Sequence, residues 1–242
     1  MKKIQRAGEL LWLLGVIFVA LGVAICSKAD LGVSMIAAPA FVVAEALAPL
    51  WQGFSVGVTE YLVQGLLLLL LIVLVRRFNL RYVLTFVVAV IYGYTLNFFL
   101  FLLGGVSFDT VALRWLMLLV GDVCVAFGVA CFFRTYLPLQ VFELFVAEVA
   151  DRFHIPLHKV KSRFDLCLLA LSLILALTLF GDVGQFDWST IGYRSFHSIG
   201  AGTLVTTAIN APLIRLMGIL LDRVFSPAPR FSRLHAALRS PK

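Results

Sequence analysis

Leu21-Gly-Val-Ala-Ile-Cys-Ser-Lys-Ala-Asp-Leu31 is said again further along the chain as Phe127-Gly-Val-Ala-Cys-Phe-Phe-Arg-Thr-Tyr-Leu137. Gly22, Val23, Ala24 and Leu31 return as Gly128, Val129, Ala130 and Leu137, and Lys28 returns as Arg134. Two more echoes keep the same order. Val43-Ala44-Glu45 reappears as Val146-Ala147-Glu148, and Thr85-Phe-Val reappears as Thr203-Leu-Val. Echoes in order mark a duplicated unit.

Around this repeat the chain is 62% hydrophobic and only 14% charged, with a mean hydropathy of +1.02. A soluble globule could not cover itself with so few polar residues, so the chain belongs in a bilayer. Apolar runs of roughly 20 residues recur, and each can satisfy its own backbone as a helix, which favours helical spans over a barrel. The net charge of +7 comes from Lys and Arg clustered between the apolar runs. That pattern reads as membrane orientation and not as nucleic-acid binding. Cys26, Cys124, Cys131 and Cys167 all fall in apolar segments without a CxxC pair, which points to packing and to neither metal nor disulfide. Met1-Lys-Lys before an apolar run resembles a signal peptide, yet the run continues into the repeated Gly22 to Leu31, so we expect it to be retained.

Spans are expected at about 8–26, 58–75, 82–103, 111–133, 164–180 and 200–221. Two shorter segments, 34–47 and 139–151, follow the first span of each unit. The first of them, at 1.5 Å per residue, reaches about 21 Å and falls short of a hydrocarbon core of about 30 Å. The second carries Glu143, Glu148, Asp151 and Arg152 and is expected at the surface. Positive clusters at Lys2, Lys3 and Arg6, at Arg76, Arg77 and Arg81, at Arg152, Lys159, Lys161 and Arg163, and at Arg223, Arg230, Arg233, Arg239 and Lys242 alternate with Asp109 and with Asp182 and Asp187. They agree on one topology only if the short helices do not cross. Each unit then has three spans and the second enters the membrane from the opposite face.

The expected fold class is therefore all-α: a polytopic helical membrane protein of six spans in a 3+3 inverted repeat, with a short re-entrant or interfacial helix after each unit's first span. Residues 1–105 form one unit, 106–225 the other, and 226–242 a basic cytoplasmic tail, all in one membrane domain. Both termini are expected on the cytoplasmic side.

Leu21 to Leu31 with its echo, and Ser198-Ile-Gly-Ala-Gly-Thr-Leu-Val-Thr-Thr-Ala-Ile-Asn-Ala-Pro-Leu-Ile214, resemble the YczE/YyaS/YitT group of uncharacterised bacterial integral membrane proteins. Ala211-Pro212 stands where that group's pattern has Gly-Pro. The resemblance implies a bacterial inner membrane and no established activity, and it carries over no site residues.

Ionisable groups inside spans are costly and usually face a cavity or a partner. Asp165 lies near the start of its span, and the repeat sets Gln64 at the matching place, with Glu60 one turn earlier on the same face. The plainer reading pairs Asp165 with Arg163 or Lys161 at the interface. Asp122 lies deep in its run with no basic residue nearby, which suits a proton carrier or an interhelical hydrogen bond. Asn97, Asn210 and Thr203 supply neutral polar atoms to the third spans, where helix-packing bonds are the commoner use. Lys28 and Arg134 close the first spans and read as symmetry-related gates or as snorkelling anchors. Glu45 and Glu148 on the short segments read as vestibule groups or as plain surface. His154 and His158 are split by Pro156, which removes the helix that would make them joint metal ligands. No GxSxG, HExxH or P-loop occurs, so no enzyme, metal or cofactor is expected.

The leading expectation is a small bacterial inner-membrane transporter or permease for an unknown solute, cationic or proton-coupled, with the lipid bilayer as its surroundings. The alternative is a non-transporting scaffold or a substrate-capture subunit of a larger complex. A homo-oligomer and a partner membrane protein both stay open.

Overall fold

The computed structural model describes residues 7–50, 53–76, 78–181 and 195–225, with only the backbone for Leu80. Lys2, Lys3, Arg6, Arg77, Asp182, Asp187, Arg230, Arg233, Arg239 and Lys242, together with the tail 226–242, lie outside the described residues.

The described residues form α1 (Gly8–Ala29), α2 (Ala38–Leu47), α3 (Val56–Val75), α4 (Leu80–Leu102), α5 (Val111–Phe132), α6 (Val141–Phe153), α7 (Leu157–Phe180) and α8 (Ala201–Val224). Among them there is no strand, only an isolated bridge between Phe196 and Ile199. Six helices are long and apolar enough to cross a membrane. The other two, α2 with 10 residues and α6 with 13, are too short for a bilayer core of about 30 Å. The chain is a multi-pass membrane protein.

Local chemistry sets the boundaries. Asn79 accepts a hydrogen bond from the Arg81 N–H to open α4, and Thr110 accepts one from Leu113 to open α5. Left-handed residues stop α1 at Asp30, α3 at Arg76, α6 at His154 and α7 at Gly181. Since α7 begins at Leu157 and not near Phe164, Lys159, Lys161 and Arg163 ride on its first turns and are not in a loop.

Leu66, Leu69 and Val73 on α3 are 61–72% exposed and Phe101 on α4 is 86% exposed. An exposed band of this kind is costly in water but matches lipid tails. The interior holds the small residues. α1 and α5 cross at the centre, where Gly22 faces Gly121 and Gly15 faces the level of Gly128: a Cβ on Gly22 would lie 2.5 Å from the Gly121 carbonyl oxygen, and one on Gly128 would lie 2.9 Å from that of Gly15. Rising numbers on one helix meet falling numbers on the other, so α1 and α5 are antiparallel. The offset that lays Gly22 on Gly128 also lays Gly15 on Gly121, so each contact is the other's counterpart under the sequence repeat.

The same reasoning orients the other helices. Gly57 meets Gly93 and Gly65 meets Phe86, which makes α3 and α4 antiparallel. Gly202 meets Leu118 and Gly218 meets Arg134, which makes α5 and α8 parallel. Lys28, at the end of α1, donates to the carbonyl of Gly104, just past the end of α4, at 3.3 Å. Phe180, at the end of α7, stacks on His197 just before α8. Hence α1, α4 and α7 run one way and α3, α5 and α8 the other. A crossing α6 would have made α8 antiparallel to α5.

Each short helix packs against the other unit's middle span, α2 on α7 and α6 on α3, as well as on its own. Their first turns are buried. The surface position expected for α6 therefore holds only for its later part, where Asp151, Arg152 and Phe153 are exposed, while Val141, Phe142 and Glu143 are buried.

Candidate functional site

The starts of α2 and α6 approach each other in the interior. Between them lies a cavity of about 10 Å³, lined among others by Ser34 and Ala37 before α2, Gln140 and Glu143 at the start of α6, Glu60 on α3 and Tyr92 on α4. That volume holds one water-sized particle. Both repeat units contribute to its wall.

The polar atoms around it are unusually poor in partners. Glu60 is 1% exposed, and neither carboxyl oxygen makes a hydrogen bond of good geometry. Ser34 Oγ, Gln140 Nε2 and Glu143 Oε2 are likewise buried without one. Gln64, one turn beyond Glu60 and in reach of its carboxyl, accepts a hydrogen bond from the Val141 N–H at 3.4 Å, so the first unit caps the second unit's short helix. Buried groups left so incompletely satisfied are rare enough to need a reason.

Behind Glu143 sits an ion pair. Lys161 Nζ lies 2.6 Å from Asp165 Oδ1, with both side chains about 5% exposed or less. Lys161 also acts on Glu143: burial raises that carboxyl above the usual range, Lys161 pulls it down and Asp165 pushes it up again. Gln64 and Asp165 match in the repeat, and one turn back from each stand Glu60 and Lys161. One face thus carries Glu-x-x-x-Gln and its counterpart Lys-x-x-x-Asp.

A second polar group lies between α5 and α8. Asp122, Thr206 and Asn210 are all fully buried, and the Asp122 carboxyl oxygens and both Asn210 amide atoms lack hydrogen bonds. The register set by Gly202 on Leu118 and Gly218 on Arg134 puts Asp122 level with Thr206, one turn from Asn210. Asp122 does not line the cavity of Glu60.

Other sequence candidates have local duties. Asn97 accepts from the Gly57 N–H at 2.9 Å and donates to Ser55 Oγ at 2.8 Å, tying α4 to the start of α3. Thr203 Oγ1 accepts from the Gly200 N–H at 3.2 Å and caps α8. Arg134 holds Asp222 through two 2.7 Å bonds, the counterpart in the repeat of Lys28 on Gly104. Glu45 meets His197 Nδ1 at 2.8 Å, and Glu148 is half-buried. Among the described residues no group of three or more His, Cys, Asp or Glu is placed to hold a metal ion.

The two ends of the cavity differ. On the side of Arg81 a vestibule of about 370 Å³ is lined by Arg81, Thr85, Phe132, Thr135, Pro138 and Leu139 among others. Within the stretch Pro138 to Gln140, the first two residues line the vestibule and Gln140 lines the cavity. Trp12 Nε1 holds that stretch by a 3.0 Å bond to the Pro138 carbonyl. On the other side the matching stretch is covered: the Val33 N–H donates to the Ser198 carbonyl at 2.9 Å, and the Gly202 N–H to the Leu31 carbonyl at 2.8 Å. Asp30 accepts from Arg114 at 3.3 Å and from Ser195 at 2.7 Å there.

Residues 6–218 match a family model whose description is a family of unknown function, DUF6198. The chain belongs to that family. No curated protein and no solved structure matches it. The matched residues include the echoing segments, the cavity lining and the Asp122 group.

Sequence reasoning reached Glu60, Gln64, Asp122 and Asp165, and its plainer reading named Lys161 as a partner of Asp165, which is the pair observed, though buried and not at the interface. It passed over Ser34, Tyr92, Gln140 and Glu143. Glu143 gave no signal through the repeat, because its counterpart there is Ala40.

Proposed function

We propose that this DUF6198 protein is a small transporter or permease of the bacterial inner membrane, built as a 3+3 inverted repeat with both termini cytoplasmic. The cavity between Glu60 and Glu143 carries this reading. Amid apolar side chains it gathers the unpartnered polar atoms of Ser34, Glu60, Gln140 and Glu143, and residues at the starts of two short helices wall it. Secondary transporters place substrate sites at such repeat interfaces, where interrupted helices end. Antiparallel α1 and α5, and the exchange of Gly15/Gly128 for Gly22/Gly121, support the inversion.

On this reading the vestibule at Arg81 is the cytoplasmic mouth, and Pro138 to Gln140 is the inner gate. The contacts of Asp30, Val33 and Leu31 with 195–202 form the outer gate. Asp165 is committed to Lys161 and tunes the site, whereas Glu60 and Glu143 face the solute. The resemblance to the YczE/YyaS/YitT group enters here as a proposed kinship.

The test is flux by the purified protein in liposomes loaded with a pH-reporting dye and challenged with a panel of inorganic cations and amines. We expect solute-dependent proton movement that is lost in Glu60→Gln. A protein that moves nothing, and that co-purifies with a second membrane protein, would instead be a capture subunit.

A further inference from the structure

Glu60 from α3 and Glu143 from α6 line the cavity with the Tyr92 phenol from α4, α1 and α5 present only valines to it, and Lys161 and Asp165 from α7 act on Glu143 from behind. Three carboxylates against one ammonium leave two negative charges. The starts of α2 and α6 each bring about half a positive charge. The balance is about one negative charge, in a place where an unneutralised charge is very costly.

One proton or one monovalent cation would cancel it. A proton needs no space. The structure provides space for one water-sized particle, and around it the unpartnered oxygens of Glu60, Glu143 and Ser34. An organic amine is too large for the cavity as it stands. A divalent ion would leave an excess positive charge, and the described residues offer no cluster of three metal-binding side chains.

We propose that this cavity holds either one small monovalent cation, such as sodium, lithium, potassium or ammonium, or one proton on its carboxyls, and that the protein exchanges the two across the membrane. In each step a carboxylic O–H gives up its proton to water as the cation enters, and takes one back as the cation leaves. No redox partner or other co-reactant is needed. The exchange rests on the transporter reading above, while the binding does not.

The experiment measures thermal melting of the purified full-length protein in detergent at constant ionic strength. Choline chloride is replaced stepwise by sodium, lithium, potassium or ammonium chloride at several pH values. We expect a saturable rise in melting temperature with at least one small cation, and a midpoint concentration that moves by about tenfold per pH unit where the proton competes. Glu60→Gln should weaken that midpoint by about thirtyfold or more. If Glu60→Gln does not fold, Glu143→Gln and Ser34→Ala serve in its place. No response to any of the four salts overturns the proposal, as does a response that ignores both pH and these substitutions. Proton-coupled flux without such binding would remove this inference and leave the transporter standing. Binding without proton exchange in liposomes would remove the exchange and keep the ion site.

Discussion

Gly22 and Gly121 meet backbone to backbone, so that a Cβ added to Gly121 would lie 2.8 Å from the Gly22 carbonyl oxygen and 2.6 Å from Cys26 Sγ. Lipid tails offer helices no hydrophobic reason to associate, so close packing of small residues has to supply it. This contact and its counterpart at Gly15 and Gly128 fasten the two units at their centre.

Gly22→Leu and Gly121→Leu should therefore cost more than the 1–3 kcal/mol typical of overpacking, about 3 kcal/mol or more, because backbone and not a flexible side chain stands in the way. Size-exclusion profiles of tagged protein in detergent should lose the main peak. Gly105→Leu, where a new Cβ meets nothing within 4 Å, should leave the profile unchanged.

Breaking the buried Lys161–Asp165 pair from one side should be worse than removing it whole. Lys161→Met strands the carboxyls of Asp165 and Glu143 and should destabilise by about 3–5 kcal/mol. Lys161→Met with Asp165→Leu should recover much of that loss in a melting assay. Equal or greater damage in the double variant would mean the pair is not the unit described.

Asn97→Ala should cost about 1–2 kcal/mol through the loss of its bonds to Gly57 and Ser55, and should leave any flux rate per folded molecule unaltered. A selective change in substrate affinity with normal stability would move Asn97 into the site.

Asp122→Asn probes the second polar group. Asp122 lies outside the cavity, so cation-dependent melting should survive this substitution while proton-coupled flux falls at least tenfold if Asp122 relays the proton past Thr206 and Asn210. Unchanged flux would assign the carboxyl to helix packing alone.

Topology can be read by labelling single cysteines in a background without Cys26, Cys124, Cys131 and Cys167. A cysteine at Ser107 should react with an impermeant reagent in intact cells, and one at Asn79 should not. Labelling at Asn79 would break the proposed orientation of the units.

The membrane class, the number of long helices and the non-crossing length of the short ones were legible in the sequence, because each follows from properties that accumulate along the chain. Hydropathy adds up residue by residue, and a helix in lipid satisfies its own backbone without help from a neighbour. The echo of Gly22 in Gly128 was visible in the letters as well. What the letters could not carry was which counterpart touches which: Gly22 meets Gly121, and Glu60 meets the Glu143 side of the other unit.

The short helices show the division most clearly. Their charge suggested a surface place for α6, and a local average cannot distinguish Glu143, which is buried, from Asp151 two turns on, which is exposed. Only the packing of α6 on α3 and α7 makes that distinction, because burial is a property of the neighbours. By itself the sequence determined that this chain lives in a bilayer as a set of long apolar helices. The tertiary structure alone decided that Ser34, Glu60, Gln140 and Glu143 converge, since residues so far apart in the chain are brought together only by the packing of their helices.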